Sequence, residues 1–502
     1  MDLPNQTVLA TVAVILFVTF YVYPQWRKSL SHIPTVGEMT WFGLPTQKSL
    51  LACRSVMLEG YHRHPNGFFK MPLFPFRWAV IANGRRLTEE LSNAPDEKFS
   101  FTFPTGKLVQ TDYTVGPEIL TDRFHVPIVR TNLSRNIAAI IEELRDEMLQ
   151  AFSVSPLNDQ TKRDKEGFVS VPALATVQQL IARITNRVFV GKPICQDEEF
   201  CRLNTIYVFD VVKAANKINM FPDFLHPIIG PLFSPKKRYL DAMLRIVGPT
   251  MRKRRSILET NGPDALPNDY LSWNMAEAPE GYEKTDEGLA MRLLNINLGA
   301  INTSSVTFTH ALLYLAAHPE YVGPMRAEIE NVLDHEGWSK EGMQKMVRVD
   351  SFLRESARLN AISLTSINRY TLEDYTFADG TFIPKGTVVA SSMYSTHLDE
   401  KIYPEPHTFN PWRFVNEAGK SRTGQAYTGT SAEFLSFGAG KHVCPGRFFA
   451  ANELKAMLAH IVMSYDVKLD ANANGVRPPN EYIGTSVIPN TAAHVLFRRH
   501  VP

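Results

Sequence analysis

The strongest chemical signal in the sequence is a cysteine, Cys444, in a loop rich in glycine, proline and phenylalanine. Residues 434–450 read FLSFGAGKHVCPGRFFA, and a helical pattern of apolar residues follows at once. The free amides and partial positive charge of a helix N-terminus favour a thiolate, so this position predicts a lowered thiol pKa. Such a thiolate suits a metal ligand, and a buried structural cysteine is the alternative. The loop alone leaves both interpretations open.

Two further groups of polar residues could take part in chemistry. A long helical pattern without proline covers residues 286–318, but its centre carries glycine, Asn302, Thr303 and two serines, which weaken a helix. Packing against a neighbouring helix, or a groove where a ligand approaches the backbone, would each explain them. Glu355 and Arg358 share a helix face at i, i+3 spacing, which by itself indicates only a solvated pair.

Composition limits the class of protein. The chain has 502 residues, 44% of them hydrophobic, which allows one large domain or two to three smaller ones. A net charge of +2 gives no general affinity for nucleic acid, and we expect no nucleic-acid partner. The four cysteines form no CxxC pair, so neither a disulfide framework nor a multi-cysteine zinc site is expected. This cysteine usage fits a reducing compartment.

The N-terminus has the pattern of a membrane anchor. Residues 3–26 carry no charge and are long enough to cross a bilayer as a helix. Arg27 and Lys28 follow, so the body of the protein is expected on the cytosolic side. A cleaved signal peptide would need a basic start and a small-residue cleavage site, and the segment has neither. We therefore predict an anchor with its basic flank over residues 1–30 and one globular unit over 31–502.

The elements between these landmarks are mainly helical, with strands towards both ends of the globular part. The pattern predicts a hairpin within residues 67–82, a helix capped by Ser134 and a polar surface loop over residues 260–286. An apolar, proline-broken turn at residues 220–233 is either a loop packed in the core or a lid that dips into a membrane surface. The sequence leaves these two interpretations open.

Taken together, these features resemble the cytochrome P450 family of haem-thiolate enzymes. The matching motifs are Gly299–Thr303 for the oxygen-activation site, Glu355-x-x-Arg358 for the ExxR pair, Pro411–Phe414 for the PERF element and Phe437–Gly446 for the cysteine loop. They occur in the family's order, and the resemblance covers about residues 31–500. It implies a mainly α fold with small β-sheets (α+β), with haem between the long central helix and the cysteine loop.

The resemblance also assigns roles to individual residues. Cys444 would be the axial thiolate of heme b (iron-protoporphyrin IX), and Thr303 would handle the bound oxygen, beside Asn302 where the family usually has an acid. His442 replaces the arginine that usually contacts a propionate. The remaining expectations are a buried charge network of Glu355, Arg358 and Arg413, propionate contacts from Arg369 and Arg130, shielding of the sulfur by Phe437, and backbone roles for Gly438 and Gly446.

The implied activity is that of a single-pass monooxygenase of the endoplasmic reticulum membrane with a cytosolic catalytic domain. Electrons would come from NADPH through NADPH–cytochrome P450 reductase, with cytochrome b5 as a further partner. The cysteine loop looks most like fungal members that oxidise terpenoids. A bulky lipophilic substrate such as a terpenoid, steroid or meroterpenoid is therefore expected, with fatty acids and aromatic polyketides still open. A haem-thiolate isomerase or dehydratase, suggested by Asn302, and a non-catalytic haem protein are the alternatives.

Overall fold

The structure is a computed structural model that describes residues 30–38, 52–76, 78–470 and 473–500. The anchor predicted over residues 1–30 lies almost wholly outside these described residues. Across those ranges, no helix is both long enough and apolar enough to cross a membrane. The mainly helical architecture with small sheets that the sequence predicts is confirmed in this part of the chain.

Helices make up most of the described chain. They are α1 (Cys53–Arg63), α2 (Arg85–Asn93), α3 (Thr102–Val109), α4 (Thr111–Thr114), α5 (Glu118–Thr121), α6 (His125–Ile128), α7 (Ile137–Ser153), α8 (Ala173–Phe189), α9 (Glu198–Asn219), α10 (His226–Phe233), α11 (Lys236–Asn261), α12 (Tyr270–Glu277), α13 (Asp286–Ala317), α14 (Val322–Glu336), α15 (Lys340–Lys345), α16 (Val347–Leu359), α17 (Met393–His397) and α18 (Arg447–Ser464). A π-helical turn, Val129–Leu133, follows α6.

The strands form small sheets at the edge of this helical body. They are β1 (Phe68–Pro72), β2 (Trp78–Ala82), β3 (Phe99–Ser100), β4 (Val169–Pro172), β5 (Thr365–Thr371), β6 (Tyr375–Thr376), β7 (Phe382–Ile383), β8 (Val388–Ser392), β9 (Tyr465–Leu469), β10 (Glu481–Ile483), β11 (Ser486–Ile488) and β12 (His494–Arg499). The largest sheet has the order β1-β2-β8-β5-β3, and a second has the order β4-β12-β9. The predicted hairpin is confirmed, because β1 and β2 pair antiparallel.

Helix α13 forms the centre of the fold. It begins where the Thr285 hydroxyl accepts a hydrogen bond from the Gly288 amide, and Asp286 and Glu287 place negative charge in its first turn. Both features stabilise a helix start. The helix packs against α8, α9, α11 and α16, and most of its side chains are buried. A helix surrounded in this way holds its side chains in fixed positions.

Two local expectations differ from the structure, and one of the two open interpretations of a third segment is excluded. Ser134 does not cap a helix, because it follows the π-helical turn and α7 begins after Asn136. The segment 260–286 is not a plain surface loop, since α12 buries Tyr270 in the core. The turn at residues 220–233 is not packed in the core, and it carries some of the most exposed apolar side chains of the described chain. In each case tertiary contacts, which local composition does not reveal, decide the outcome.

Candidate active site

The loop before α18 holds Cys444 by backbone geometry. The Cys444 amide donates to the Phe437 carbonyl at 2.9 Å, which closes the loop. Gly438 and Gly440 adopt φ angles of +74° and +71°, a region that favours glycine. A Cβ on Gly440 would lie 2.1 Å from the Ser92 carbonyl oxygen, so a side chain there would collide with the end of α2. The loop is thereby pressed against the helical body.

The Cys444 thiol experiences two opposing effects. Burial raises its pKa, and the backbone amides of Gly446 and Arg447 together with the Arg447 charge lower it by less, so the net direction is upward. The expectation of a lowered thiol pKa is wrong for the protein alone, because desolvation exceeds the effect of the helix start. A metal ion at the sulfur would reverse this balance, since a coordinating thiol is deprotonated.

Two glycines of the loop differ in what they do. Gly438 needs its positive φ, whereas a Cβ on Gly446 would meet only Val129, at an ordinary 3.9 Å. The packing of the protein around Gly446 therefore leaves room for a side chain, so the backbone role expected for this glycine is not a steric one. Phe437 packs against the buried Tyr427 with ring centroids 5.1 Å apart. The contact packs Phe437 against the hydrophobic core.

The centre of α13 exposes two small residues inside an otherwise buried helix. Gly299 and Thr303 are both exposed, and a Cβ added to Gly299 would meet no atom within 4 Å. The Thr303 hydroxyl donates to the Gly299 carbonyl at 2.7 Å, and Asn302 beside it is half-buried. The helix runs unbroken through this region, so the polar residues do not interrupt it. Gly299 and Thr303 border open space, as the groove interpretation predicts, whereas Ser304 and Ser305 are buried against neighbouring elements.

A cationic site lies near the cysteine loop. Arg369 in β5 is only 2% exposed, and its guanidinium donates to the Asn368 carbonyl at 3.0 Å without a carboxylate hydrogen bond in the described chain. Burial lowers its pKa to about 10. Burying a cation with so few partners is unfavourable unless an anion joins it. The two propionates of haem would supply that charge.

His442 lies in the same region and has a carboxylate partner. Its Nε2 is 2.7 Å from Oδ1 of Asp96, and its ring stacks on Phe101 with centroids 4.8 Å apart. Burial acts to raise the pKa of Asp96, but the hydrogen bond and charge of His442, together with the charges of Lys441 and Arg369, outweigh it, so the net shift is downward. Asp96 was missed by sequence reasoning, because nothing in its local pattern marks it.

Arg123 is a further cation that sequence reasoning missed. It is half-buried with its guanidinium over the ring of Phe101, and burial lowers its pKa. Arg130 is instead exposed and donates to the Lys441 carbonyl at a long 3.5 Å. The residues present therefore fit haem, with Arg369, Arg123 and His442 as the best-placed propionate donors and Cys444 as the iron ligand. No local pattern marks Arg123, which only its packing over Phe101 reveals.

A buried charge network supports the segment that leads to the loop. Glu355 and Arg358 are both 0% exposed and joined by hydrogen bonds of 2.7 and 2.8 Å, and Arg413 Nε reaches Glu355 at 3.0 and 3.1 Å. The structure thus brings these residues together as the resemblance implied. Within the described residues, no group of three or more His, Cys, Asp or Glu side chains is placed to hold a metal ion.

His397 connects this network to the cysteine loop and was also missed. Its Nε2 accepts a 2.9 Å hydrogen bond from the Leu435 amide, and its Nδ1 is 3.1 Å from the Arg358 carbonyl. Burial, reinforced by the Arg358 charge, lowers its pKa to about 3, so the ring is neutral. An accepting Nε2 requires the proton on Nδ1. The neutral ring therefore holds the start of the loop at a fixed position relative to the charge network, through one hydrogen bond to each.

Comparisons with known proteins agree with this geometry. The family model described as Cytochrome P450 matches residues 117–496. Cytochrome P450 monooxygenase 151 of Postia placenta is 40% identical over 504 residues, which cover 98% of each chain. Cytochrome P450 monooxygenase CYP512U6 of Ganoderma lucidum is 31% identical, covering 99% of this chain and 97% of that relative. Retinoic acid bound cyanobacterial CYP120A1 has a similar fold, with a TM-score of 0.67 at 18% identity over 93% and 99% of the chains.

These matches cover nearly the whole chain and confirm the predicted fold. The family model matches well over half of the residues, and the two relatives named as monooxygenases align over 97–99% of each chain. Members of the family hold haem through a cysteine thiolate and take electrons from a redox partner. This chain therefore belongs to the cytochrome P450 family of monooxygenases.

Proposed function

We propose that this protein is a membrane-bound haem-thiolate monooxygenase that inserts one oxygen atom of O2 into a bulky lipophilic substrate, a terpenoid, steroid or meroterpenoid. The observation that carries the proposal is the exposed pair Gly299 and Thr303 in the buried centre of α13. A small residue and a hydroxyl beside open space suit a site where a substrate and a small polar ligand meet. When bound, haem supplies the oxygen activation, because its thiolate ligand donates electron density to the iron.

The protein's own groups bind and orient. Cys444 would ligate the iron, and Arg369 and Arg123 with His442 would hold the propionates by charge-assisted hydrogen bonds. The Thr303 hydroxyl, now turned to the Gly299 carbonyl, can rotate about its side chain and present its proton to the open space.

The substrate class follows from the residues expected around the open space. We expect the segments 100–125, 204–225, 293–303, 361–368 and 482–487 to line it, and they are mainly apolar with scattered hydroxyls. Pockets of this composition bind lipophilic molecules and use a few polar groups for orientation. The fungal terpenoid-oxidising members that the cysteine loop resembles support the same class. The regiochemistry depends on the shape of the site.

Association with a membrane is supported by the segment around α10. Met220, Phe224, Ile228 and Leu232 are 76%, 77%, 65% and 74% exposed, far more than apolar side chains in a core. The exposed Lys217 lies beside them, with its Nζ 5.3 Å from the Phe233 ring centroid. An apolar patch flanked by lysine suits the interface of a bilayer. Together with the uncharged stretch at residues 3–26, this favours a protein held at the endoplasmic reticulum membrane.

Electron delivery is proposed through NADPH–cytochrome P450 reductase, with cytochrome b5 as a second donor. The exposed cations Arg130 and Lys441 lie together beside the cysteine loop, and Phe448 next to it is 41% exposed. A positive surface around an apolar residue would attract an acidic partner. The same face lies near the iron ligand, which shortens the path for electrons.

The proposal is tested by co-expressing the full chain with a reductase and supplying terpenoid and steroid panels. We expect a thiolate-type reduced-CO spectrum, NADPH-dependent O2 consumption and a product heavier by one oxygen atom. Cys444→Ala serves as the control and should lose all three. Conversion without NADPH or added oxygen would instead favour the isomerase or dehydratase. That alternative is suggested by Asn302, an amide where the family usually has an acid. Normal haem binding by Cys444→Ala would refute the assignment of the ligand.

A further inference from the structure

A polar cluster joins α13 to the last part of the chain and has no role in the chemistry proposed so far. The guanidinium of Arg477, in the segment before β10, donates through Nη2 to Nδ1 of His310 in α13 at 2.7 Å. The same nitrogen donates to the side-chain oxygens of Asn480 at 2.8 Å and of Asn360, at the end of α16, at 3.1 Å. The Asn480 amide in turn donates to Asn360 at 2.8 Å. We call these four residues the Arg477 cluster.

The Arg477 cluster surrounds a cation with neutral partners. His310 is 0% exposed, and burial, reinforced by the Arg477 charge, lowers its pKa well below the ordinary value. The ring is therefore neutral, and its Nδ1 can accept a hydrogen bond. The ring of Tyr314, with its centroid 4.6 Å from the guanidinium carbon, adds a cation–π contact. Because a desolvated cation is costly unless its partners stay in place, the cluster favours one arrangement of the three segments that supply them.

Two of these segments continue from the cluster and pair with each other. One is residues 361–364, which follow Asn360, and the other is the antiparallel hairpin of β10 and β11, which follows Asn480. The amides of Leu364 and Val487 donate to carbonyls of the facing segment at 2.7 and 3.1 Å. The hairpin and residues 361–364 thus form one small unit, and the Arg477 cluster holds both of its ends together.

The third segment is α13, where His310 lies on the same face as Thr303. The two residues are seven positions apart, which is two helical turns, about 10.5 Å along the axis and about 20° around it. Thr303 is exposed to the open space, whereas His310 is buried in the Arg477 cluster. The cluster therefore attaches the hairpin and residues 361–364 to the helix face that carries the Thr303 hydroxyl.

We propose that Arg477 is a positioning residue, which sets the distance between the β10–β11 hairpin and Thr303 and thereby determines which atom of the substrate is oxidised. The proposal rests on the monooxygenase function and on residues 361–368 and 482–487 lining the site. A displacement of about 1 Å is enough to change the reactivity of a bound molecule strongly. Directional hydrogen bonds to three segments restrict such a displacement, whereas apolar contacts alone allow sliding.

The first test measures how two azoles of different size bind the iron of the haem-loaded protein. Clotrimazole is bulky enough to contact the hairpin, whereas imidazole reaches the iron with little contact to it. Arg477→Met removes every guanidinium hydrogen bond and keeps an unbranched apolar side chain. The Kd of clotrimazole should rise about tenfold, the effect of roughly one lost charge-assisted hydrogen bond, and that of imidazole should stay within about twofold. An unchanged Kd for clotrimazole would overturn the proposal.

Three further variants separate positioning from a general loss of stability. Arg326→Met is the matched control, because it removes another half-buried arginine, whose Nε donates to the Val462 carbonyl at 3.0 Å. It should leave the affinities for both azoles unchanged. His310→Leu removes the acceptor on α13 and should act like Arg477→Met. His310→Asn returns an acceptor near the position of Nδ1 and should recover most of the clotrimazole affinity. Equal losses in the two His310 variants would overturn the proposal.

Hydrogen exchange reports on the hairpin without a bound ligand. In Arg477→Met, the amides of Leu364 and Val487 should exchange at least about tenfold faster, while amides of the β4-β12-β9 sheet keep their wild-type rates. Equal acceleration in both regions would assign Arg477 a general structural role and overturn the proposal.

Product analysis connects the Arg477 cluster to selectivity. In co-expression with a reductase, Arg477→Met should change the ratio of regioisomeric products formed from the steroid and terpenoid panels, and Arg326→Met should not. An unchanged ratio in Arg477→Met would overturn the proposal. A wild type that forms no oxygenated product would instead refute the proposed function. The azole and exchange results would then still establish or exclude the positioning of the hairpin by Arg477.

Discussion

Removal of the Glu355 carboxylate tests the buried network most directly. Glu355→Ala leaves the guanidinium of Arg358, which is 0% exposed, and that of Arg413 without their shared counter-ion. Breaking a buried ion pair costs about 3–5 kcal/mol. Arg358 still donates hydrogen bonds to the carbonyls of His397 and Pro406, at 2.6 and 2.8 Å. These remaining partners favour the lower end of that energy range, about 3 kcal/mol. The Asn410 amide loses its acceptor as well, adding about 1 kcal/mol, for roughly 4 kcal/mol in all.

This loss is large against the total stability of about 5–15 kcal/mol that proteins commonly have. We expect Glu355→Ala to unfold at much lower urea concentration and to purify with little haem, as measured by the reduced-CO Soret band per mole of protein. Glu59→Ala is the control, because it breaks only the exposed pair with Arg63 and should leave both readouts near wild type. A Glu355→Ala protein with normal haem content and an unfolding free energy within about 1 kcal/mol of wild type would refute the reasoning.

Three further outcomes follow from the same structure. Arg369→Ala should weaken haem retention strongly in a haem-transfer assay, whereas Arg130→Ala, which changes an exposed side chain, should have little effect; equal losses would contradict the assignment of the propionate site. His460 has a pKa lowered by burial from 6.5 to about 4, so the unfolded chain binds its proton first as pH falls below 6.5 and stability is lost between these values. In urea titrations, His460→Phe should therefore reduce the slope of the unfolding free energy against pH, between pH 6.5 and 4, by at most about 1.4 kcal/mol per pH unit. An unchanged slope would refute the conclusion that this ring is buried and neutral. Leu232→Asp should reduce the binding of an anchor-truncated chain to lipid vesicles, and undiminished binding would show that the α10 patch does not touch lipid.

Much of the site could be predicted because its chemistry is encoded locally. The cysteine, its glycines and the following helix lie within one short stretch, and Glu355 and Arg358 are one helical turn apart. The i, i+3 spacing of Glu355 and Arg358 and the run of glycines before Cys444 are properties of neighbours in the chain, so the sequence pattern alone reveals them. The family resemblance then added Thr303 to the expected oxygen site and Arg413 to the buried charge network.

What the sequence could not reveal depends on burial and on contacts between distant residues. His442 meets Asp96 across 346 positions, and His397 reaches the Leu435 amide and the Arg358 carbonyl. Neither partner has a local signature. The propionate site likewise came to include Arg123, which only the packing around Phe101 identifies.

The sequence by itself determined the family, the iron ligand expected at Cys444 and the order of the motifs, because these follow from residue type and short spacing. The tertiary structure decided the direction in which the pKa values of the site residues are shifted. The helix start next to Cys444 suggested a lowered thiol pKa, yet burial raises it, and burial also keeps the ring of His397 neutral. Desolvation depends on every atom packed around a group, and no local pattern contains that information.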